Sequence, residues 1–168
     1  VFGDQTNWVS LVIVGNGNTR ASGFTGKAIQ NVTVSGVSEL AKSAFENCKN
    51  LRTVDLADDG CLGNIGEWAF GSNTNLCSVI VPNTVTNIGN YAFYNCSSLK
   101  SVVFTSAEAP TVGGDAFRYL PSDAMFYICE GATGYDATTY PWNSFSVMTL
   151  MDDGSVGQSG AINESVTW

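Results

Sequence analysis

Carboxylates offer most of the chemistry available to this chain, because the sequence contains 15 aspartate and glutamate residues and no histidine. Without histidine, the Ser-His and Cys-His nucleophiles and the usual imidazole metal sites are excluded. The pairs Asp58-Asp59 and Asp152-Asp153 each precede a glycine, but neighbouring side chains on an extended chain point apart. They also lack the alternating oxygen ligands of a dedicated calcium loop. We interpret both pairs as solvated turns, with calcium ligation and acid–base chemistry as alternatives, and predict no catalytic residue, metal site or cofactor.

Five cysteines raise the question of disulfides or zinc. Cys48 and Cys96 each lie three residues after a regularly repeated phenylalanine, a position that favours a small buried side chain. With strands about 4.8 Å apart, these two thiols would be about 10 Å apart, too far for a disulfide. The spacing permits a bridge between Cys61 and Cys77, although free thiols are the favoured interpretation. No paired Cys-x-x-Cys spacing is available for zinc.

The element that must position these residues is a repeat, in which a phenylalanine follows an alanine at intervals of 25, 23 and 24 residues. The phenylalanines are Phe45, Phe70, Phe93 and Phe117. A period in this range is typical of solenoids. One such unit buries too little apolar surface to fold alone, so the units must stack and the four rings should form a spine.

Each repeat also contains a short strand pattern. In Leu51-Arg-Thr-Val54-Asp-Leu56 the first, fourth and sixth positions are apolar. The same pattern begins at Ile29, Leu76 and Leu99, and Phe126 and Ile128 keep its last two apolar positions in the final repeat. A period of two predicts a strand with one buried face. We therefore predict a mainly β solenoid with about five repeats and one parallel strand per repeat.

The run Val81-Pro-Asn-Thr-Val-Thr-Asn-Ile-Gly-Asn-Tyr-Ala-Phe93-Tyr-Asn-Cys-Ser-Ser-Leu99 resembles the BspA-like leucine-rich repeats of bacterial and some protist surface proteins. The resemblance covers about residues 29–145, and its last part is similar to the C-terminal closing segment of gut-bacterial members. The proline that usually follows the strand is kept only at Pro82. The resemblance implies a leucine-rich repeat domain with parallel strands and N- and C-terminal caps, in a bacterial surface or secreted protein with an adhesion role.

The outward positions of the strands are the candidate binding site. Positions two, three and five of each stretch should face away from the core. The fifth positions are Thr33, Asp55, Ile80, Val103 and Tyr127, and the third positions beside them are Asn31, Thr53, Ser78, Ser101 and Met125. An apolar stripe with a polar margin often marks an interaction site. The alternative is that Ile, Val and Tyr are present because they suit a strand.

Composition restricts the classes of partner. The 168 residues include only 7 lysines and arginines and have a formal charge of −8, which argues against nucleic acid and anionic membranes. No stretch approaches 18 uninterrupted apolar residues, so we predict no membrane insertion. This composition agrees with an extracellular or cell-surface binding module, and the family resemblance implies a protein partner such as a host protein, a matrix component or another cell surface. A glycan is the alternative ligand.

The chain divides into four predicted parts. Residues 1–28 contain an apolar run and a glycine- and asparagine-rich turn, and they form an N-terminal cap that a solenoid requires. Residues 29–128 are the leucine-rich repeats, 129–148 the C-terminal closing segment, and 149–168 a linker or the start of a further module. The chain begins at Val1 without a signal region and is interpreted as a processed product or a fragment. The sequons at Asn31, Asn95 and Asn163 are interpreted as chance matches.

Two functional classes follow. The first is a recognition or adhesion module that binds its partner through the strand face. The second is a structural spacer or self-assembly unit, and a hydrolytic enzyme ranks third. Charged substitutions on the strand face should abolish recognition but leave a spacer unaffected.

Overall fold

Parallel strands, one or two in each repeat, stack along the whole of the chain that the computed structural model describes, residues 8–151 and 156–158. Within these residues every regular element is a strand, and the turns form a β-solenoid of about six turns. The strands are β1 (Trp8–Ala21), β2 (Ile29–Leu40), β3 (Thr53–Leu56), β4 (Asn64–Ile65), β5 (Ser78–Val81), β6 (Asn87–Ile88), β7 (Ser101–Phe104), β8 (Thr111–Val112), β9 (Met125–Cys129), β10 (Ser146–Leu150) and β11 (Val156–Gln158). The predicted parallel-strand solenoid is confirmed.

Two parallel ladders run along the solenoid. The first ladder has the strand order β1-β2-β3-β5-β7-β9-β10, and β11 joins its end antiparallel to β10. In the second ladder the later parts of β1 and β2 are followed by β4, β6 and β8. The long β1 and β2 bend from one ladder into the other where Gly15 faces Gly36. A Cβ on Gly15 would lie 2.1 Å from the Gly36 carbonyl oxygen, and Gly36 has a φ of 60°, so both positions require glycine.

The backbone around the repeated phenylalanines forms a third hydrogen-bonded side, which we call the turn ladder. The N–H of Phe45 donates to the Ala69 carbonyl at 2.8 Å, and the N–H of Phe70 donates to the Ala92 carbonyl at 2.8 Å. Positive φ values occur two residues before and two residues after each of the four repeated phenylalanines, at Ser43, Asn47, Trp68, Ser72, Tyr91, Asn95, Asp115 and Tyr119. These left-handed residues reverse the chain twice in each turn, so that the phenylalanine points inward between them.

The predicted phenylalanine spine is present and has one more member than the repeat pattern indicates. Phe24 stacks on Phe45 with 5.2 Å between ring centroids, and the stack continues through Phe70, Phe93 and Phe117 at 5.5, 5.3 and 5.2 Å. The four predicted rings are fully buried, whereas Phe24 is half-buried. Sequence analysis missed Phe24 because a glycine, not an alanine, precedes it.

Residues three positions after the spine phenylalanines link each turn to the one before it. The thiols of Cys48 and Cys96 donate to the carbonyls of Phe24 and Phe70 at 3.0 and 3.1 Å. Asn73 occupies the same position and donates through Nδ2 to the Phe45 carbonyl at 2.9 Å. All three side chains are buried, as predicted for this position. Burial raises the pKa of Cys48 to about 11 and that of Cys96 to about 12.

All five cysteines are free thiols, so the permitted bridge between Cys61 and Cys77 is not formed. Cys61 is half-buried and Cys77 is exposed. The Cys61 thiol instead lies 3.7 Å from the carbonyl of Asp59.

The segments at the two ends of the repeats both pack on the core. The apolar run predicted for the N-terminal cap lies in β1, which pairs in parallel with β2 and adds a full turn to the solenoid. At the other end, Trp142 packs on Phe104 with 5.1 Å between ring centroids. The N–H of Phe117 donates to the hydroxyl of Tyr140 at 2.6 Å. In earlier turns the N–H of the spine phenylalanine donates to an alanine carbonyl of the next turn. The Tyr140 side chain therefore closes the turn ladder.

The predicted domain boundaries remain predictions. Residues 1–7 of the proposed cap, the pair Asp152-Asp153, Asn163 and most of the segment 149–168 lie outside the described residues.

Candidate functional site

The first ladder aligns the outward residues that the strand pattern selects. Its third positions are in continuous register from Asn31 through Thr53, Ser78 and Ser101 to Met125. The fifth positions form two separate rows. Thr33 pairs with Asp55 in the first, and in the second Ile80 pairs with Val103, which pairs in turn with Tyr127. Between β3 and β5 the paired residues stop at Val54 and Val79, so these two rows are not joined by a ladder pair. We call the outward side chains of the first ladder the strand face.

The apolar stripe of the strand face is narrower than the sequence indicates. Ile80 has 53% of its surface exposed, whereas Val103 and Tyr127 are half-buried. The Tyr127 hydroxyl points along the strand to the sulfur of Met125, 3.7 Å away. Asp55, Thr53 and Ser78 are exposed around Ile80, and Thr33, Asn31 and Ser101 are half-buried. The face therefore presents one prominent apolar side chain within a mainly polar surface.

The strand face also extends beyond the predicted residues at both ends. Val12 pairs with Thr33 and is 65% exposed, and Val14 on the same strand is 74% exposed. At the other end Met148 pairs with Tyr127. Sequence analysis missed these residues because neither β1 nor β10 follows the leucine pattern of the repeats. The apolar run of β1 was the signal that could have located the strand, but only the structure shows that Val12 and Val14 face outward.

The carboxylate pair Asp58-Asp59 has a structural role through its second member. Asp59 accepts hydrogen bonds from the N–H groups of Gly36 and Cys61, the latter at 3.0 Å. These bonds hold the pKa of the Asp59 carboxyl below its usual range. The carboxylate therefore fastens the loop after β3 to the bend of β2. Among the described residues, no group of three or more Cys, Asp or Glu side chains is arranged to hold a metal ion.

A second surface feature, which the sequence analysis missed, lies on the turn ladder. We call the side chains of Trp68, Tyr91, Tyr94 and Tyr119 the aromatic cluster. Trp68 and Tyr91 are stacked with 4.8 Å between ring centroids, and Tyr94 meets the edge of Tyr119 at 5.1 Å. Tyr119 is 55% exposed and the other three rings are half-buried. The sequence signal was an aromatic residue two before, one after or two after a spine phenylalanine.

Charged groups adjoin the aromatic cluster. The Arg118 guanidinium lies over the Tyr119 ring, 5.0 Å from its centroid, and pairs with Asp115 at 3.1 Å. At the other end, Glu67 precedes Trp68 in the chain and pairs with Lys42 at 2.9 Å.

Cavities on the described surface include two whose linings bear on catalysis. One of about 280 Å³ lies between the last repeat and the closing segment, where its lining includes Arg118, Tyr119, Leu120, Tyr140 and Phe145. The other, of about 600 Å³, lies beside the loop that joins β7 to β8, and its lining includes Asn83, Thr86, Thr105, Glu108 and Thr111. Neither lining combines a nucleophile with a base and a group to orient it, which a hydrolytic site would require.

The geometry defines a solenoid that offers extended surfaces for binding. A family model described as "BspA type Leucine rich repeat region" matches residues 18–139 in six copies. The chain therefore belongs to the BspA-type leucine-rich repeat family, whose members are generally surface or protein-interaction modules. The match begins eleven residues before Ile29, which agrees with the additional turn that β1 contributes.

A solved structure supports the fold. The crystal structure of a leucine-rich repeat protein from Bacteroides ovatus is similar, with a TM-score of 0.66 and 24% sequence identity. The similarity covers 89% of this chain but only 38% of that protein. No curated protein matches the sequence closely enough to count as a relative. In the described part of the chain, no helix is long and apolar enough to cross a bilayer.

Proposed function

We propose that this chain is a non-catalytic recognition module of a bacterial surface or secreted protein, and that it binds a protein partner through its strand face. In this role the module serves adhesion, and the partner is a host protein, a matrix component or another cell surface. No cofactor takes part.

The observation that carries the proposal is the register of the first ladder, which is continuous along the third positions from Asn31 to Met125. Six parallel strand pairings align the outward side chains on a regular hydrogen-bonded backbone. A rigid surface loses little conformational freedom when it binds, so more of the contact energy remains as affinity. Ile80 supplies an exposed apolar anchor, and the neighbouring polar groups supply hydrogen bonds at its rim.

The test is a binding comparison between the parent chain and a triple variant, Ile80→Asp, Val103→Asp and Tyr127→Asp. Both proteins are immobilised and exposed to extracts of host-cell and matrix proteins, and the retained proteins are identified by mass spectrometry. Circular dichroism and a thermal melt establish that the variant is folded. We expect a partner that the parent retains and the variant loses.

The matched control places the same added charge on another side of the solenoid. Asn83→Asp, Thr86→Asp and Thr111→Asp are all at exposed positions near the second ladder, so this variant should retain the partner. If both triple variants bind as the parent does, the strand face is not the site.

Self-assembly is the second candidate function, and the outer edge of β1 favours it. Within the described residues β1 pairs only with β2, and its inward Leu11 and Ile13 are only half-buried. An uncovered strand edge is a template for pairing with another chain. Sedimentation velocity over a range of concentrations tests this candidate. A monomer at every concentration would exclude it, whereas an oligomer that Val12→Lys and Val14→Lys dissociate would support it.

A further inference from the structure

Three rings of the aromatic cluster occupy backbone positions that disfavour them. Trp68, Tyr91 and Tyr119 have φ values of 58°, 58° and 62°, in the left-handed region where bulky side chains are rare. In neighbouring turns the equivalent positions are Ser43 and Asp115 before the phenylalanine and Asn47, Ser72 and Asn95 after it. Small polar residues of this kind tolerate the left-handed conformation. Backbone geometry therefore does not account for the rings.

The neighbouring turn is shaped to accommodate the indole of Trp68. A Cβ on Gly71 would lie 2.5 Å from Cε3 of Trp68, so the absence of a side chain at Gly71 is what lets the indole lie there. The equivalent residues in the other turns are Glu46, Tyr94 and Arg118, and Gly71 does not have a positive φ. Glycine at this position is thus required by the indole, not by the backbone.

The charged groups around the cluster indicate which class of ligand suits it. At one end the Arg118 guanidinium lies over Tyr119 and is paired with Asp115. A cation over an aromatic face, held by a carboxylate, is a favourable arrangement. At the other end, Glu46 is half-buried one turn before Gly71 and forms no ion pair within the described chain. Tryptophan, the residue type of Trp68, is the aromatic side chain that binds cations best. The net charge of −8 also attracts cationic partners.

We propose that the aromatic cluster is a second binding site, separate from the strand face, that takes an arginine or lysine side chain presented by a protein partner. The cation lies against Trp68, and Glu46 in the preceding turn is the carboxylate that pairs with it. Tyr91 and Tyr94 support the indole from the other side. Trp, Tyr and Arg are also the residues that most often dominate protein–protein binding energy.

Hexa-arginine is the first probe, titrated at low ionic strength into isotopically labelled protein and followed by nuclear magnetic resonance. The indole N–H of Trp68 and the amides of Tyr91 and Tyr94 should shift in a saturable manner. Hexa-glutamate and the neutral glycan cellohexaose are the comparison ligands and should leave these signals unchanged. The mapping on the parent protein decides the location of binding even if a variant does not fold.

Two substitutions test the role of the indole. Trp68→Ser introduces the residue found at Ser43, and Gly71→Ala displaces the indole while leaving it in the chain. Each should weaken hexa-arginine binding roughly tenfold, the effect expected when a cation–π contact of ordinary strength is lost. Gly114→Ala is the matched control, because its Cβ would meet only the Asn90 side chain, at 3.8 Å, and it should bind as the parent does.

Three results would overturn the proposal. The first is that hexa-arginine shifts signals of acidic loops and leaves Trp68 unmoved. The second is unchanged affinity in both Trp68→Ser and Gly71→Ala. The third is that cellohexaose, and not hexa-arginine, shifts the cluster, which would assign the rings to a glycan.

Discussion

Truncating Phe93 to alanine should lower the free energy of unfolding by about 4–5 kcal/mol. Removing a buried phenylalanine costs about 3–5 kcal/mol through lost transfer energy and the cavity that remains. Phe93 is fully buried and stacks on Phe70 and Phe117 at 5.3 and 5.2 Å. Each such pair contributes about 0.5–1.5 kcal/mol beyond burial, which places the loss in the upper part of the range.

The comparison variant is Phe24→Ala, at the end of the spine. Phe24 is half-buried and stacks only on Phe45, so its truncation should cost about 1.5–2.5 kcal/mol. Urea denaturation followed by circular dichroism measures both. Because the free energy of unfolding of a domain is typically about 5–15 kcal/mol, Phe24→Ala should remain folded more readily than Phe93→Ala.

The denaturation slope gives an independent readout. Because a solenoid turn contacts only its neighbours, weakening a middle turn can uncouple the two halves. The m-value, which is the slope of the free energy of unfolding against urea concentration, should then be smaller in Phe93→Ala than in the parent and unchanged in Phe24→Ala. Equal losses of stability in the two variants, or a loss below about 1.5 kcal/mol for Phe93→Ala, would refute the view that the spine is a continuous core.

Four further outcomes are expected. Asn73→Ala removes a buried donor and leaves a carbonyl of the preceding turn unpaired, so urea denaturation should show a loss of about 1–3 kcal/mol. Gly66→Ala would place a Cβ 2.5 Å from a backbone carbonyl oxygen, and its thermal midpoint should fall clearly below that of the parent. Because the folded-state pKa of Asp59 is lowered, its contribution is present above the unfolded pKa and is lost as the pH falls through the folded pKa; Asp59→Asn should therefore flatten the pH dependence of the thermal midpoint below about pH 4. At pH 8 a thiol reagent should label the exposed Cys77 before Cys48, whose pKa is about 11, as mass spectrometry of the modified chain would show.

Matched controls accompany these variants. Asn73→Cys should lose less stability than Asn73→Ala, since a thiol donates to the preceding turn from this position at Cys48 and Cys96. Gly63→Ala should be tolerated, because its nearest backbone neighbour would be 3.9 Å from the new Cβ. If Cys48 is labelled as fast as Cys77, the buried position of its thiol is wrong. If the thermal midpoints of Asp59→Asn and the parent change with pH in the same way below about pH 4, the hydrogen bonds to Asp59 do not stabilise the fold.

The repeat is the part of this protein that the sequence determines most completely. The interval between Phe45, Phe70, Phe93 and Phe117 predicts stacked turns, because only a regular period returns the same side chain to the same place. The alternation in Thr53–Leu56 predicts which residues are buried, and the burial pattern of β3 agrees with it. These predictions hold because they depend on local periodicity, which contact between neighbouring turns reinforces.

Tertiary structure alone decided where the pattern ends and what lies beside it. The apolar run of β1 predicts a cap, but only the structure shows that β1 pairs in parallel with β2 as a further turn and that Phe24 extends the spine. The aromatic cluster joins residues up to 51 positions apart in the chain, from Trp68 to Tyr119. Stacking of successive turns brings these residues together on one side of the solenoid. They occupy positions at which the leucine and phenylalanine repeat does not specify the residue type, so the repeat alone does not predict the cluster. Sequence therefore determined the core through its period, while the surfaces available for binding depended on how the turns were stacked.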